Sequence, residues 1–379
     1  MHDNPEIYIC SLFGYCRNLT QKKRHALQVV HFFDIITAIR QTWNVRYRTR
    51  FWGNILRKLL YAIVALAVLV AVGIWQRHRI LFPLFTTGET VQPLTEANLP
   101  DGGEPFGESG YFVVVQLDEK TFAVAEPYSW ARNVNYLILG TERALLFDAG
   151  VGHYDIRPVV KYLTDLPMTF LPSHLHYDHT GQASFDRIAL VDLPHLREQA
   201  NGDSFTFSWG QHLGAAEGLE LPTWEISDWI KPGDEIDLGN RKLTLIYTPG
   251  HTDNSISLHD EASKTMFTGD YYSANNMSAY YPTASMGDYL QTAKKILKRT
   301  ARQPETVLRG AHSSDSGKIP ARSHDDVQTL HDALIKIQSG ELNGEGTYPA
   351  IYAIDEGVVM QAEPGWLQNW DTTYPDPVE

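Results

Sequence analysis

The sequence predicts an α/β fold, with sheets faced by helices, that is preceded by one membrane-spanning helix. Three observations lead to this prediction. Residues 59–75 form an uncharged apolar run. From residue 111 onward, short apolar runs separated by turns are interspersed with helical stretches, and several of the strand-like runs end in His or Asp.

The apolar run LLYAIVALAVLVAVGIW covers 17 residues, 59–75, without a charged side chain. As a helix it would be about 25 Å long, enough for a thin hydrocarbon core. Arg57 and Lys58 precede the run and Arg77 and Arg79 follow it, whereas a buried core helix seldom has basic residues at both ends. A cleaved signal peptide has a shorter apolar region that ends at small residues. The run therefore indicates an uncleaved single-pass anchor that contacts the lipid bilayer.

Charge is distributed unevenly along the chain. Residues 1–80 contain 12 basic and 3 acidic side chains, which leaves 20 basic and 42 acidic side chains in residues 81–379. The basic excess before the apolar run predicts a cytoplasmic N-terminus and a body outside the cytoplasm. Because an acidic body repels phosphate backbones, we expect no nucleic-acid partner. Both cysteines, Cys10 and Cys16, lie near the N-terminus, so any metal in the body must be bound by His and carboxylate side chains.

Changes of composition divide the chain into five predicted parts. Prolines and glycines between the apolar run and residue 110 indicate an extended linker. The parts are a basic cytoplasmic N-terminal region at 1–58, a transmembrane helix at 59–75, a linker at 76–110, a catalytic domain at 111–345 and a C-terminal tail at 346–379.

Short runs rich in β-branched and aromatic residues predict the strands of the catalytic domain. They are residues 111–115, 122–125, 134–139, 144–147, 170–172, 188–191, 242–247, 255–258, 265–267 and 306–308. Stretches at 155–163, 289–298 and 325–337 predict helices, and a long insert covers about 195–232. Many strands followed by interspersed helices favour sheets with helices on their faces.

The segment HLHYDH places His174, His176, Asp178 and His179 within six residues. In an extended segment, residues two apart project to the same side. His174 and His176 can therefore share one cation, while Asp178 and His179 face a second. The clustering distinguishes these residues from isolated histidines, which are usually surface or satisfied core residues. We leave the role of His212, in the insert, open.

Three further candidate ligands each follow a strand-like run: His251, Asp270 and His312. His251 would complete a three-histidine site with the first pair, His312 would join the second ion, and Asp270 would bridge both. Zinc accepts imidazole nitrogen and carboxylate oxygen and tolerates an open position. The pattern thus predicts seven ligands for two divalent metal ions, most simply zinc, with Asp178 also acting in catalysis by orienting the attacking water.

Aromatic side chains near these motifs are candidates for a substrate pocket. Trp209 lies in the insert, and Tyr271, Tyr272, Tyr280 and Tyr281 follow Asp270 closely. Binding pockets are lined mainly by apolar and aromatic side chains. For the aromatic side chains of the insert, the alternative is ordinary packing.

The spacing of the candidate ligands resembles the metallo-β-lactamase superfamily. Its members show HxHxDH, then a His in a PGH context, then a GD aspartate and a final His, which correspond here to the segments TPGH at 248–251 and TGD at 268–270 and to His312. Asp148 matches the family's strand-ending aspartate, which supports the metal site from behind. Ala311 is a departure, because it separates Gly310 from the final His. The resemblance implies an αββα four-layer sandwich over about residues 111–338, with the metals at one edge of the two sheets.

Four stretches are similar to one branch of this superfamily, metallo-β-lactamase domain-containing protein 2, which is associated with acyl-coenzyme A thioester hydrolysis and is close to the glyoxalase II-like branch. The stretches are FDRIA at 185–189, NGDSF at 201–205, LHD at 258–260 and DYL at 288–290. This resemblance implies a hydrolase of a small carbonyl ester, with a thioester as the favoured substrate, and the apolar run at 59–75 predicts that this hydrolase is anchored in a membrane. Since coenzyme A esters are cytoplasmic, either the topology is inverted or the substrate is another ester, thioester or lactone.

Two alternatives to a thioesterase use the same ligands. A lactone or β-lactam hydrolase would differ only in its pocket. A mononuclear iron oxidoreductase, similar to the persulfide dioxygenases that share this fold, would hold one iron instead of two zinc ions.

Overall fold

The computed structural model of the chain describes residues 50–85, 102–106, 110–182, 184–314 and 318–372. Contacts divide the chain into two compact units, Met1–Gln76 and Arg77–Glu379. The N-terminal region predicted at 1–58 lies outside the described residues up to residue 49.

The first unit contains helix α1, Arg50–Trp75. Its segment Ile55–Trp75 has a mean hydropathy of 2.3. By length and composition this helix could cross a membrane, and it includes the predicted span at 59–75.

The second unit consists of strands and helices that follow one another closely along the chain. Strands β1 to β9 are Glu104–Phe106, Phe112–Asp118, Thr121–Ala125, Val134–Leu139, Ala144–Phe147, Met168–Leu171, Ala189–Val191, Ser204–Thr206 and Thr223–Glu225. Strands β10 to β18 are Asp228–Ile230, Glu235–Asp237, Lys242–Tyr247, Ile256–Asp260, Thr265–Gly269, Asn276–Ala279, Val307–Gly310, Ala350–Asp355 and Val358–Ala362. Helices α2 to α8 are Arg77–Phe85, Arg157–Leu163, Tyr177–Thr180, Pro194–Gln199, Trp209–His212, Met286–Thr300 and His324–Ser339.

Two sheets form the framework, and each ends in a parallel pair of strands. The first sheet has the order β1-β2-β3-β4-β5-β6, antiparallel except for β5 and β6. The second has the order β11-β12-β13-β14-β16, antiparallel except for β14 and β16. Parallel neighbours need a crossover connection, which α3 provides in the first sheet and α7 in the second. In both sheets the loops after the parallel strands therefore leave from the carboxyl ends, where α/β sheets usually bind ligands.

The alternation of side chains along β12 shows how the layers pack. Leu245 and Tyr247 lie in a core cluster with residues of the first sheet, whereas Ile246 lies in a second cluster with residues of α7 and α8. Because successive strand residues point to opposite faces, the second sheet has one face on the first sheet and the other on these helices. Val159 and Val160 of α3 are buried in the first cluster. The predicted αββα arrangement is confirmed.

The fold extends beyond both boundaries predicted for the catalytic domain. In the predicted tail at 346–379, strands β17 and β18 pair with each other, and β18 also pairs with β15. Their alternate side chains, among them Tyr352 and Met360, are buried in the second core cluster. In the predicted linker at 76–110, β1 pairs with β2 and α2 forms a helix. The alternate apolar residues of β17 and β18 explain the first difference, since such residues need a neighbouring layer to cover them.

Arg241 connects the two sheets through a buried ion pair. Its Nε lies 2.7 Å from Asp260 Oδ2 at the end of β13, and the two side chains are 9% and 1% exposed. Its other nitrogens donate to Thr121 Oγ1 at 2.8 Å and to the carbonyl of Lys120 at 2.9 Å, both in the first sheet region. The guanidinium thus satisfies acceptors of both layers.

We expect Arg241→Ala to lower the free energy of unfolding by about 3–5 kcal/mol, because it leaves the Asp260 carboxylate buried without its cation. Urea denaturation followed by tryptophan fluorescence measures this loss. As a control, Arg187→Ala removes the exposed pair with Asp228 and should cost less than about 1 kcal/mol. An equal loss of unfolding free energy in the two variants would contradict the role of Arg241 in connecting the two sheets.

Candidate metal centre

Seven His and Asp side chains meet at the carboxyl ends of the strands. His174 and His176 follow β6, Asp178 and His179 lie in the short helix α4, and His251, Asp270 and His312 follow β12, β14 and β16. Three overlapping groups of them could each hold a metal ion, with all ligand atoms of a group within 4.8 Å of one another. The first group is His174, His176 and His251, the second group is Asp178, His179 and His312, and a third set, His174, His179 and Asp270, overlaps both.

The first group is a buried cluster of three imidazoles. His174 Nε2 lies 2.9 Å and His251 Nε2 lies 3.1 Å from His176 Nδ1. Burial lowers the pKa of all three histidines, and the neighbouring imidazoles lower the pKa of His174 and His176 further. These shifts favour the neutral form of each ring, in which one of the two ring nitrogens carries a lone pair. Nitrogen lone pairs this close repel unless a proton or a metal cation lies between them.

The second group combines imidazoles with carboxylates. Asp178 Oδ2 lies 3.6 Å from Nε2 of both His179 and His312. Burial lowers the pKa of His179, but Asp178, Asp270 and Asp148 outweigh it and raise this pKa well above its usual value. The pKa of His312 is also raised, since Asp270 and Asp178 outweigh burial. This side of the cluster favours positive charge.

Asp270 lies between the two groups. Its Oδ2 is 3.4 Å from His251 Nε2 and 3.0 Å from His312 Nε2, and its Oδ1 is 3.5 Å from His179 Nε2. Burial raises the pKa of Asp270, but His312 and His179 lower it well below the usual value. An ionised carboxylate in this position can reach a cation in either group.

Three of the histidines are held in orientation by an acceptor behind the ring. In each case Nδ1 bonds to an oxygen, which leaves the Nε2 lone pair directed at the centre. The acceptors are Asp148 Oδ2 for His179 at 3.0 Å, the Ser278 carbonyl for His251 at 2.8 Å and the Ala131 carbonyl for His312 at 2.6 Å.

Asp148 occupies a strained backbone position at the end of β5. Its φ of +67° lies in the left-handed region, which L-residues other than Asn and Asp rarely adopt. The carboxylate bonds to two parts of the ligand segment, accepting from the Ser173 backbone N–H at 2.6 Å through Oδ1 and contacting His179 through Oδ2. Gly269 supports the same turn from the second sheet, since a Cβ there would lie 2.5 Å from Ser173 Cβ. The turn is thus fixed from both sheets.

The extra residue before His312, Ala311, is absorbed by backbone hydrogen bonds between the sheets. Its N–H donates to the Gly269 carbonyl at 2.9 Å, and its carbonyl accepts from Val134 N–H at 2.7 Å. His312 therefore reaches the centre despite the departure from the GH pattern.

Sequence motifs did not reveal Asn133, which positions two of the ligand segments. Its Nδ2 donates to the Asp178 carbonyl at 2.7 Å, and its backbone forms a bridge with His312. The side chain is buried, but no spacing rule connects a residue at the start of β4 with either segment.

The structure separates the tyrosines that follow Asp270. Tyr271 and Tyr272 are buried in the second core cluster, where their hydroxyls donate to the carbonyls of Tyr289 and Asp326. The ring of Tyr281 instead lies beside the centre, with its centroid 4.9 Å from His176 and 5.0 Å from His251. Trp209, at the start of α6, is half-buried.

The donor set fits divalent metal. Asp178 and Asp270 are only 15% and 11% exposed, and buried carboxylates need a compensating cation. His179 Nε2 is buried and has no hydrogen-bond partner among the described residues. Imidazole nitrogen with carboxylate oxygen, and no thiolate, is the set that suits zinc and related divalent ions.

Residues 130–312, which include all seven side chains, match the Metallo-beta-lactamase superfamily. Acyl-coenzyme A thioesterase MBLAC2 of Homo sapiens is 29% identical over 205 residues, covering 46% of this chain and 71% of the relative. Hydroxyacylglutathione hydrolase of Bdellovibrio bacteriovorus is 27% identical over 140 residues, covering 36% of this chain and 48% of the relative.

Among solved structures, the metallo-β-lactamase from Pontibacter korlensis aligns with a TM-score of 0.44 and 14% identity, covering 59% of this chain and 99% of that one. Members of this superfamily bind divalent metals, and the His and Asp groups described above could hold them. Residues 130–312 of the chain therefore carry the pattern of a metallo-β-lactamase domain.

Proposed function

We propose that this protein is a membrane-anchored thioester hydrolase whose seven clustered side chains hold two zinc ions. The observation that carries the proposal is the position of Asp270, within 3.0–3.5 Å of His179, His251 and His312. One carboxylate that reaches both groups is the arrangement expected of a two-metal site.

In this proposal His174, His176 and His251 hold one ion, Asp178, His179 and His312 hold the other, and Asp270 contacts both. Two such ions, when bound, supply Lewis acidity that lowers the pKa of a water toward about 7 and polarises a carbonyl. This chemistry suits hydrolysis of a carbonyl ester at neutral pH.

Asp178 is the catalytic residue of the proposal. Its carboxylate is 15% exposed at the centre, and Asn133 holds its backbone carbonyl at 2.7 Å. A carboxylate fixed in this way accepts a hydrogen bond from a water and turns the water's lone pair toward the substrate carbonyl. Asp178 thereby orients the nucleophile.

The chemistry of the leaving group indicates which class of carbonyl compound suits the site. Burial lowers the pKa of His212, a histidine of the insert, to about 4, so its imidazole is neutral at pH 7 and is not a proton donor. Amide nitrogen needs protonation before it leaves, whereas a thiolate, with a thiol pKa of about 8.5, leaves without a proton. The relative MBLAC2, which is 29% identical, is an acyl-coenzyme A thioesterase, and this supports the same substrate class.

An aromatic side chain lies beside the candidate metal centre, on the side of the three-histidine group. Tyr281 packs against His176 and His251, and burial raises the pKa of its hydroxyl well above the usual value, so the phenol stays neutral. A neutral aromatic surface next to the site suits the acyl part of a thioester. Of the aromatic residues predicted to line a pocket, we retain Trp209 and Tyr281 and leave out Tyr271 and Tyr272, which are buried in the second core cluster.

We further propose that α1 anchors the protein in a membrane with the second unit outside the cytoplasm. The apolar segment Ile55–Trp75 is long enough to cross. Basic side chains are more numerous before it than after it, which supports a cytoplasmic N-terminus.

We expect His176→Ala to lower thioester turnover by at least about a hundredfold. Substitution of a residue that only supports a metal ligand typically lowers metal affinity or activity about 10–100-fold, and loss of the ligand itself should lower activity at least as much. Release of thiol from the acetyl thioester of N-acetylcysteamine measures turnover, and elemental analysis measures zinc. His153→Ala, an exposed histidine away from the cluster, is the matched control and should stay within about twofold of wild type. Unchanged turnover in the His176→Ala variant would contradict the proposal.

Asp148→Asn should weaken zinc affinity about 10–100-fold, because an amide can keep the bond from Ser173 but presents N–H to the His179 N–H. Asn tolerates the left-handed backbone at this position. Competition with a chromophoric chelator measures the affinity. Asp155→Asn, which alters an exposed pair with Arg157, should leave zinc affinity as it is; an equal loss in both variants would point to a general charge effect.

Alkaline phosphatase fused after residue 100 should be active, because this enzyme folds only outside the cytoplasm and the charge distribution places that side of α1 there. Phosphatase assays on intact cells give the answer. Lysines in place of Leu66 and Leu69 should abolish the activity, since each costs about 2.5–3.5 kcal/mol at a helix centre. An inactive fusion, with the same fusion to a cytoplasmic reporter active, would establish the opposite topology.

A further inference from the structure

Helix α2 lies outside the residues that match the superfamily, yet it packs beside the metal centre. Phe82 of this helix is only 8% exposed. Its ring centroid lies 5.4 Å from that of Tyr281, 6.2 Å from Tyr280 and 6.4 Å from Trp209. Tyr281 in turn contacts His176 of the centre. A continuous run of aromatic rings therefore connects α2 with the three-histidine group.

The three rings around Phe82 form an aromatic wall, defined here as Trp209, Tyr280 and Tyr281. All three are half-buried, so each keeps part of its surface accessible to a ligand, and the buried Phe82 packs against all of them. Tyr280 and Tyr281 stack on each other with centroids 4.6 Å apart. Gly210 of α6 packs on Pro282, at 3.4 Å from where its Cβ would be, so the segments that carry the wall are neighbours.

A buried carboxylate attaches α2 to the body. Glu363, directly after β18, is 9% exposed, and its Oε1 lies 2.5 Å from Arg77 Nε and 3.0 Å from His78 Nε2. Burial raises the pKa of Glu363, but His78 and Arg77 outweigh it and hold the pKa below its usual value. At the other side of the helix, the Arg79 guanidinium lies 5.4 Å from the centre of the Trp209 ring. Ionic, cation–π and apolar contacts thus fix the same short helix.

We propose that α2 is part of the substrate pocket, with Phe82 as a positioning residue that holds the aromatic wall against the acyl chain of the substrate. The chemical class that this wall recognises is a thioester with an extended, unbranched apolar acyl chain. Each methylene placed against aromatic carbon leaves water, so affinity rises with chain length until the wall is covered. This inference rests on the proposed function for the reacting group and adds the selectivity for its acyl part.

The test compares acetyl and octanoyl thioesters of N-acetylcysteamine on the zinc-loaded full chain in lipid nanodiscs. In Phe82→Ala the ratio of kcat/KM for octanoyl to that for acetyl should fall about tenfold, mainly through a higher KM for the octanoyl substrate. Phe82→Leu keeps an apolar side chain and should recover most of the ratio. Ile80→Ala, an exposed apolar residue of the same helix, should leave the ratio at the wild-type value.

A second variant changes the attachment of α2 without touching the wall. Glu363→Gln removes the charge that pairs with Arg77 and His78, so it should lower the octanoyl-to-acetyl ratio about fivefold with all aromatic rings present. A purely structural role of Phe82 would instead lower turnover of both substrates in parallel. Parallel loss, or no change of the ratio in either variant, overturns the inference while the thioesterase function stands.

Calorimetric binding of octanoate and acetate separates this inference from the proposed function. If the wild-type chain hydrolyses neither thioester, the proposed function fails, but the wall can still be tested by binding. Octanoate should bind Phe82→Ala about tenfold more weakly than wild type, and acetate should show less than a twofold difference. Octanoate also partitions into the lipid of the nanodiscs, but this contribution is the same for every variant and cancels when their affinities are compared. Equal octanoate affinity in wild type and Phe82→Ala overturns the inference.

Discussion

The candidate metal site depends on cations that offset the negative charge of buried carboxylates and the repulsion between imidazole lone pairs. Five imidazoles and the carboxylates of Asp178 and Asp270 meet there, with Asp148 behind them. Buried carboxylates and facing nitrogen lone pairs are both unfavourable unless cations lie between them. The two sheets meet this condition in the same way, because each ends in a parallel pair whose following loop enters the common edge. Metal binding and the architecture of the sandwich are therefore parts of one arrangement.

The sequence was sufficient for those parts of the fold that depend on local pattern. The apolar periods of strands and helices predicted sheets with helices on their faces, and the resemblance to the metallo-β-lactamase superfamily implied the αββα order of the layers. The spacing in the segment HLHYDH placed the first four candidate ligands within one turn. Their grouping around metal stays a prediction, to which the distances around Asp270 now give a geometric basis.

Other features depend on packing that no local pattern encodes. Tyr271 and Tyr272 are adjacent to Asp270 in sequence, but they turn into the core against α7 and α8, and Tyr281, eleven residues after Asp270, lies beside the histidines instead. The two C-terminal strands were overlooked because each is short and pairs with a distant strand. Helix α2 was overlooked because it lies at the start of a segment that was interpreted as a linker from its prolines and glycines. The contacts that would shape substrate selectivity thus come from segments outside the superfamily match.

Anomalous X-ray scattering from crystals of the zinc-loaded chain tests the central claim most directly. The account predicts two zinc peaks per chain, one among the three histidines His174, His176 and His251 and one on the side of Asp178, with only nitrogen and oxygen ligands. A single iron in protein supplied with both metals would indicate the oxidoreductase alternative. A chain that binds no metal when zinc, iron and manganese are all supplied would contradict the account.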